Sequence, residues 1–208
     1  MVSFLCDRTM YPRSIPASTF PKDQRIGRWG YGPRRRTLRR EALWPVFHVQ
    51  SLHLLLSSKN AATLASFMQY VGSNIAREVG RQHQWKEKFW SRRYYASVVL
   101  DEAAQEDRMR YILSNSVKEG LVKHPRYWPG VHCYRNLAEG TPLHGVWIDR
   151  TAQYNQPSLT GKDVATHYTL KLHRLPSHAD LSEFEYRQLI RDLTNEALEE
   201  CQPENAPL

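Results

Sequence analysis

Apolar positions along this chain follow two rhythms, and both begin near residue 46. From Val46 to Ser57 (VFHVQSLHLLLS) most positions are apolar, the pattern of a buried strand. Lys59 and Asn60 turn the chain. Leu64, Phe67, Met68, Val71, Ile75 and Val79 then recur at helical spacing, with Gly80 as the expected stop. Tyr94–Leu100 predicts a second strand, and Asp101 can cap a helix running to about Glu119. After Pro125 comes a looser, Gly/Pro-punctuated region to about Ala179. Ser182 and Glu185, spaced as a capping box, open a last amphipathic helix to about Glu200. No internal repeat is found, and the body reads as mixed α and β.

Residues 1–45 show neither rhythm. They hold five prolines and the run GRWGYGPRRRTLRR, which predicts an irregular arm, because proline interrupts both helix and ladder hydrogen bonds. Charge sharpens this contrast. Ten Lys/Arg stand against three acids in that arm, +7 of the chain's formal +8. A basic arm on a nearly neutral body suggests an anionic partner, nucleic acid first, with Arg34, Arg35 and Arg36 as candidate phosphate contacts.

With 208 residues and 41% hydrophobic positions, the chain suits one domain with appendages and can bury a core. No apolar run approaches the roughly 18 residues of a membrane span. MVSFLCDR lacks the basic start and apolar length of a signal peptide. Cys6, Cys133 and Cys201 lack CxxC spacing and read as thiols in a reducing compartment, so a cytoplasmic protein is expected.

Two constellations can carry chemistry. On a strand, residues two apart share a face. His48 and His53 are five apart and point oppositely, so Ser51 is what shares a face with His53. Taken alone, His53 is an ordinary half-buried histidine. In the helix DEAAQEDRMRYILSNSVKEG, Met109, Ile112, Leu113 and Ser116 form the core side, while Ala104, Arg108, Tyr111 and Asn115 form a second stripe. A phenol can attack phosphorus, an amide oxygen can ligate a hard cation, and a guanidinium suits phosphate. Equally, Tyr111 can simply pack at a core edge with Asn115 solvated. Trp85, Phe89, Trp90, Tyr94 and Tyr95 suit core packing more than base stacking, whereas Arg92 and Arg93 remain candidate DNA contacts.

Three segments carry a resemblance. MRYILSNSVKEGLVKHPRYWPG resembles the RYI-x-x-NPV-x-x-GLV-x-x-P segment of the REP-associated tyrosine transposases, relatives of the smallest insertion-sequence transposases. LLLSSKNAATLASFMQYVGSNIARE is similar to the strand and helix after their paired-histidine motif. QWKEKFWSRRYYASVV is similar to their Trp/Phe/Arg/Tyr segment. The resemblance covers about residues 46–136, leaving 1–45 as an arm and 137–208 as a C-terminal extension.

The resemblance implies an α+β fold: a ferredoxin-like (RRM-like) antiparallel sheet with helices on one face, incomplete at the N-terminus. It also implies single-tyrosine (HUH) strand cleavage and transfer on single-stranded or hairpin DNA in a bacterial, nucleoid-associated setting. Tyr111 then matches the nucleophile, becoming linked to a 5′ phosphate. His53 and Asn115 match ligands for Mg²⁺ or Mn²⁺, and Arg108 lies beside the tyrosine.

Besides Ser116, where the family usually has Pro, two departures accompany it. The family's S-N-H-Y-H-L-L-L stands here as V-Q-S-L-H-L-L-L, so the first histidine is Ser51. The family's strand and helix upstream of the histidine strand have no counterpart in the irregular arm. A reading-frame change near Ser51 would explain both. The first reading is therefore a transposase-family protein, this copy impaired. The alternative is a non-catalytic nucleic-acid-binding relic, and an RNA-binding domain ranks last.

Overall fold

Leu52, Leu54, Leu55 and Leu56 expose at most 2% of their surface, and this two-sided burial fixes the layering. The computed structural model describes residues 2–9, 43–47 and 51–201. Strands β1 (Val2–Thr9), β2 (Leu43–Phe47), β3 (Ser51–Ser58) and β4 (Tyr95–Val99) form one antiparallel sheet in the order β2-β3-β1-β4. Helix α1 (Ala61–His83) follows β3, and α2 (Glu102–Lys118) follows β4. The fold is α+β, with the expected antiparallel sheet.

Alternation along β3 sorts its side chains between two cores. Leu52, Leu54 and Leu56 join Cys6 of β1 against α1, through Leu64, Phe67, Met68, Val71 and Ile75. Phe89 and Trp90 close the same cluster, and Trp90 donates its indole N–H to the Gly72 carbonyl at 2.9 Å. Leu5 and Leu55 face the other way, onto Met109, Ile112 and Leu113 of α2. Helices therefore lie on both faces of the sheet, not on one, because the continuous leucine run leaves neither face polar enough for solvent.

The expected irregular arm is corrected at both ends. Val2–Thr9 is a central strand, bonded to β3 on one side and β4 on the other. The upstream strand is thus present, which removes one ground for a reading-frame change near Ser51. Leu43–Phe47 is a separate strand, so the predicted single strand from Val46 begins instead at Ser51. Pro45 fits β2 because the strand lies at the sheet edge, where a missing N–H costs little. Arg34, Arg35, Arg36 and His48 lie outside the described residues.

Beyond α2 come α3 (Tyr134–Glu139), β5 (Leu143–Ile148), α4 (Arg150–Asn155), β6 (Ala165–Leu170) and α5 (Glu183–Glu199). β5 and β6 pair antiparallel in a second sheet within the region expected to be loose. α5 is capped as expected: Ser182 Oγ accepts from the Glu185 amide, and the Glu185 carboxylate accepts from the Ser182 amide. Its Tyr186, Ile190 and Leu193 join the α2 core. No helix among the described residues is long and apolar enough to cross a membrane.

Candidate functional site

The α2 face of β3 carries Ser51, His53 and Leu55 in alternation, and α2 lies across it. Tyr111, half-buried on α2, meets the His53 ring edge-on at a centroid distance of 5.4 Å and an interplanar angle of 86°. One helical turn later, Asn115 is 5% exposed, so the solvated alternative is corrected. Its Nδ2 is buried and has no hydrogen-bond partner among the described residues. A buried, unsatisfied amide N–H is costly and marks a place where a polar group would be accepted. Arg108, one turn before Tyr111, is exposed.

His53 itself is 7% exposed. Its Nδ1 lies 2.5 Å from Oδ1 of Asp7, and its Nε2 lies 2.8 Å from Oγ of Ser51. The carboxylate can only accept, so Nδ1–H donates to Asp7 and, in the neutral ring, Nε2 accepts from the Ser51 hydroxyl. Asp7 is the residue that sequence reasoning missed. It stands directly across from His53 in the β1–β3 register, 46 positions away in the chain. The one local signal was a carboxylate following the apolar run Phe4-Leu5-Cys6.

Tyr111 ionises less readily than an ordinary tyrosine. Burial is the largest cause, followed by the negative charges of Asp7 and Glu119, with the Arg108 cation opposing. At neutral pH the phenol keeps its proton.

The ligand set expected for Mg²⁺ or Mn²⁺ does not fit these residues. A serine occupies the first histidine position, and both nitrogens of the remaining imidazole engage protein side chains. A different group does bring metal-ligating atoms together: Glu102 and Glu106 of α2 and His178, one donor atom each, lie within 4.8 Å of one another and make a possible metal-binding group. His178 Nε2 is 3.0 Å from Glu106 and 3.5 Å from Glu102, and its Nδ1 is 2.8 Å from Ser177 Oγ. The i, i+4 glutamates were visible in the sequence, but their histidine partner comes from a turn 72 residues after Glu106.

No protein-family model matches the chain. No curated protein matches it either. A solved structure described as a REP-associated tyrosine transposase bound to a REP hairpin is similar to it at 15% identity, over 62% of this chain and 74% of that one, with a TM-score of 0.42.

The remaining predicted residues separate by role. Phe89 and Trp90 are core, 6% and 7% exposed, so no base can stack on them without unfolding the cluster. Arg92 and Arg93 are exposed just before β4. Tyr95, directly across β1 from the Asp7 position, is 68% exposed and leaves an aromatic ring in solvent near the site.

Proposed function

We propose that the chain is a transposase-type DNA-binding protein that takes single-stranded or hairpin DNA on the β3–α2 face and cleaves it slowly through Tyr111. The observation that carries this reading is the apposition of Tyr111 and His53 across two elements 58 positions apart. A half-buried phenol, an unsatisfied amide and an exposed guanidinium on one helix stripe, with the buried imidazole of β3 against the phenol, suit a phosphodiester better than any purely structural role. Arg92, Arg93 and Arg108 supply phosphate contacts.

In the cleavage step, Tyr111 Oη bonds to phosphorus as the bond from phosphorus to the 3′ oxygen breaks. The phenol proton ends on that oxygen, giving a 3′ hydroxyl and a 5′ phosphotyrosine. One phosphoester replaces another, so the bond energy is kept for rejoining. The raised pKa of Tyr111 holds the reactant phenol protonated, which slows the step. Mg²⁺ or Mn²⁺ has no step in this reading, since the ligand set at β3 does not fit it.

A second reading, a binder that never cleaves, is favoured by the engagement of both His53 nitrogens. Covalent trapping separates the two. Purified protein is mixed with single-stranded hairpin DNA and Mn²⁺, then run on a denaturing gel beside Tyr111→Phe and Ser51→His. A slow band in the parent, lost in Tyr111→Phe and strengthened in Ser51→His, supports cleavage. Binding without a band in any variant establishes the non-catalytic reading.

A further inference from the structure

Away from Tyr111, a cleft of about 640 Å³ opens between α3, the end of β6 and the first turns of α5. That volume lies within the range of clefts that hold small organic ligands, roughly 300–1,000 Å³. None of its lining residues belongs to β3 or α2. Its floor is apolar, made by the buried Leu137, Leu172 and Tyr186. Its walls carry three cations, Lys171, Arg174 and Arg187, against the single carboxylate of Glu183.

Both guanidiniums are held in place. Arg187 Nη2 donates to Glu183 Oε1 at 2.7 Å, and the same group lies over Gly140. Gly140 takes the left-handed conformation at φ 73°, and a Cβ there would come within 2.4 Å of that nitrogen, so a larger residue would displace the guanidinium. Arg174 Nη1 donates to the Ala179 carbonyl at 3.2 Å. Lys171 is exposed on the rim. Two anchored guanidiniums and a rim lysine around an apolar floor suit a ligand with one anionic and one flat apolar part.

We propose that this cleft binds a nucleotide unit, its phosphate on Lys171, Arg174 and Arg187 and its base over the apolar floor. Resting on the DNA-binding reading above, the unit belongs to a single strand, and the cleft is a second strand contact that holds DNA independently of the Tyr111 face. A free mononucleotide offers the same chemistry, and the experiment distinguishes the two.

The full chain is titrated by fluorescence anisotropy with a labelled single-stranded oligonucleotide and, separately, by calorimetry with deoxyadenosine monophosphate. Lys171→Glu is compared with Lys162→Glu, an equal charge change at an exposed turn outside the cleft. Lys171→Gln/Arg174→Gln serves as a milder second variant, and circular dichroism checks folding. Lys171→Glu is expected to weaken oligonucleotide binding at least about fivefold more than Lys162→Glu, and each lost contact to lower the salt slope by about 0.7. If only mononucleotide binding is lost in the cleft variants, the site stands and its ligand is the free nucleotide. Equal weakening by Lys162→Glu, or no difference for either ligand, overturns the proposal. A parent that binds no oligonucleotide sinks the DNA-binding reading instead, and the mononucleotide titration then decides the cleft alone.

Discussion

The imidazole of His53 stands edge-on to the phenol of Tyr111, its Nδ1 tied to Asp7 and its Nε2 to Ser51. Three strands or helices thus converge on one ring. The side chains around it set both the stability of the sheet centre and the ionisation of the tyrosine.

Tyr111 keeps its proton at higher pH than the ordinary 10.0 because it is buried and faces Asp7 and Glu119. In the unfolded chain the phenol ionises at its ordinary value. Between that value and the raised one, the unfolded state has released a proton that the folded state still holds. Stability from this group is therefore complete below pH 10.0 and lost as pH rises through the folded value. Urea unfolding midpoints should fall more steeply above pH 10.0 in the parent than in Tyr111→Phe. Equal slopes would mean that Tyr111 titrates normally.

Asp7→Ala removes the acceptor for His53 Nδ1 and leaves a buried N–H behind. The Asp7 side chain is 31% exposed, so the cost should sit low in the range for such bonds, about 1–2 kcal/mol in urea unfolding. Asp7→Asn keeps an acceptor and should cost less. Both variants also remove a negative charge facing Tyr111, so the phenolate absorbance should appear at lower pH than in the parent. A titration curve unchanged in both would show that the Asp7 charge does not raise the phenol.

Much of this architecture was legible because its signals are local. The periodicity of Leu64 to Val79, the Asp101 cap and the Ser182–Glu185 box each depend on residues within a few turns. Helical spacing likewise placed Tyr111 and Asn115 on one stripe. β1 was not legible, since its strand character comes from pairing with β3 and β4, far away in the chain. The same distance hid Asp7 and joined His178 to two glutamates. Gly80 misled for a different reason. Helix α1 runs past it to His83 and ends where Gln84 takes the left-handed conformation at φ 53°. The glycine serves packing, since a Cβ there would lie 3.2 Å from the Trp85 carbonyl oxygen.

Ser182→Ala breaks the reciprocal cap of α5 on one side, leaving the Glu185 amide without its acceptor. The loss should be about 1 kcal/mol, read as a lower urea midpoint with unchanged slope. Glu185→Gln keeps the reciprocal hydrogen bond and should cost less. It also removes the carboxylate whose pKa the Ser182 bonds depress, so it should flatten the fall in stability as pH drops through the carboxylate range. A Ser182→Ala midpoint equal to the parent's would mean that the hydroxyl side of the cap does not hold the first turn of α5.

Ile190→Ala asks whether the C-terminal segment folds with the sheet or beside it. Ile190 is fully buried, in one cluster with Leu55 of β3 and Ile112 and Leu113 of α2. Arg110 of α2 also donates to Glu196 of α5 at 3.2 Å, but that pair is exposed and contributes little. The shared apolar core is the stronger bond between them. Truncating a buried isoleucine to alanine costs about 2–5 kcal/mol, according to how far the cavity collapses. Because Ile190 belongs to the core that α5 shares with α2, and α2 packs in turn on β3, the whole chain should lose stability in one transition. Hydrogen exchange should then quicken in the amides of β3 along with those of α5. Two separated transitions, with β3 protection untouched, would instead make residues 137–201 an independent folding unit.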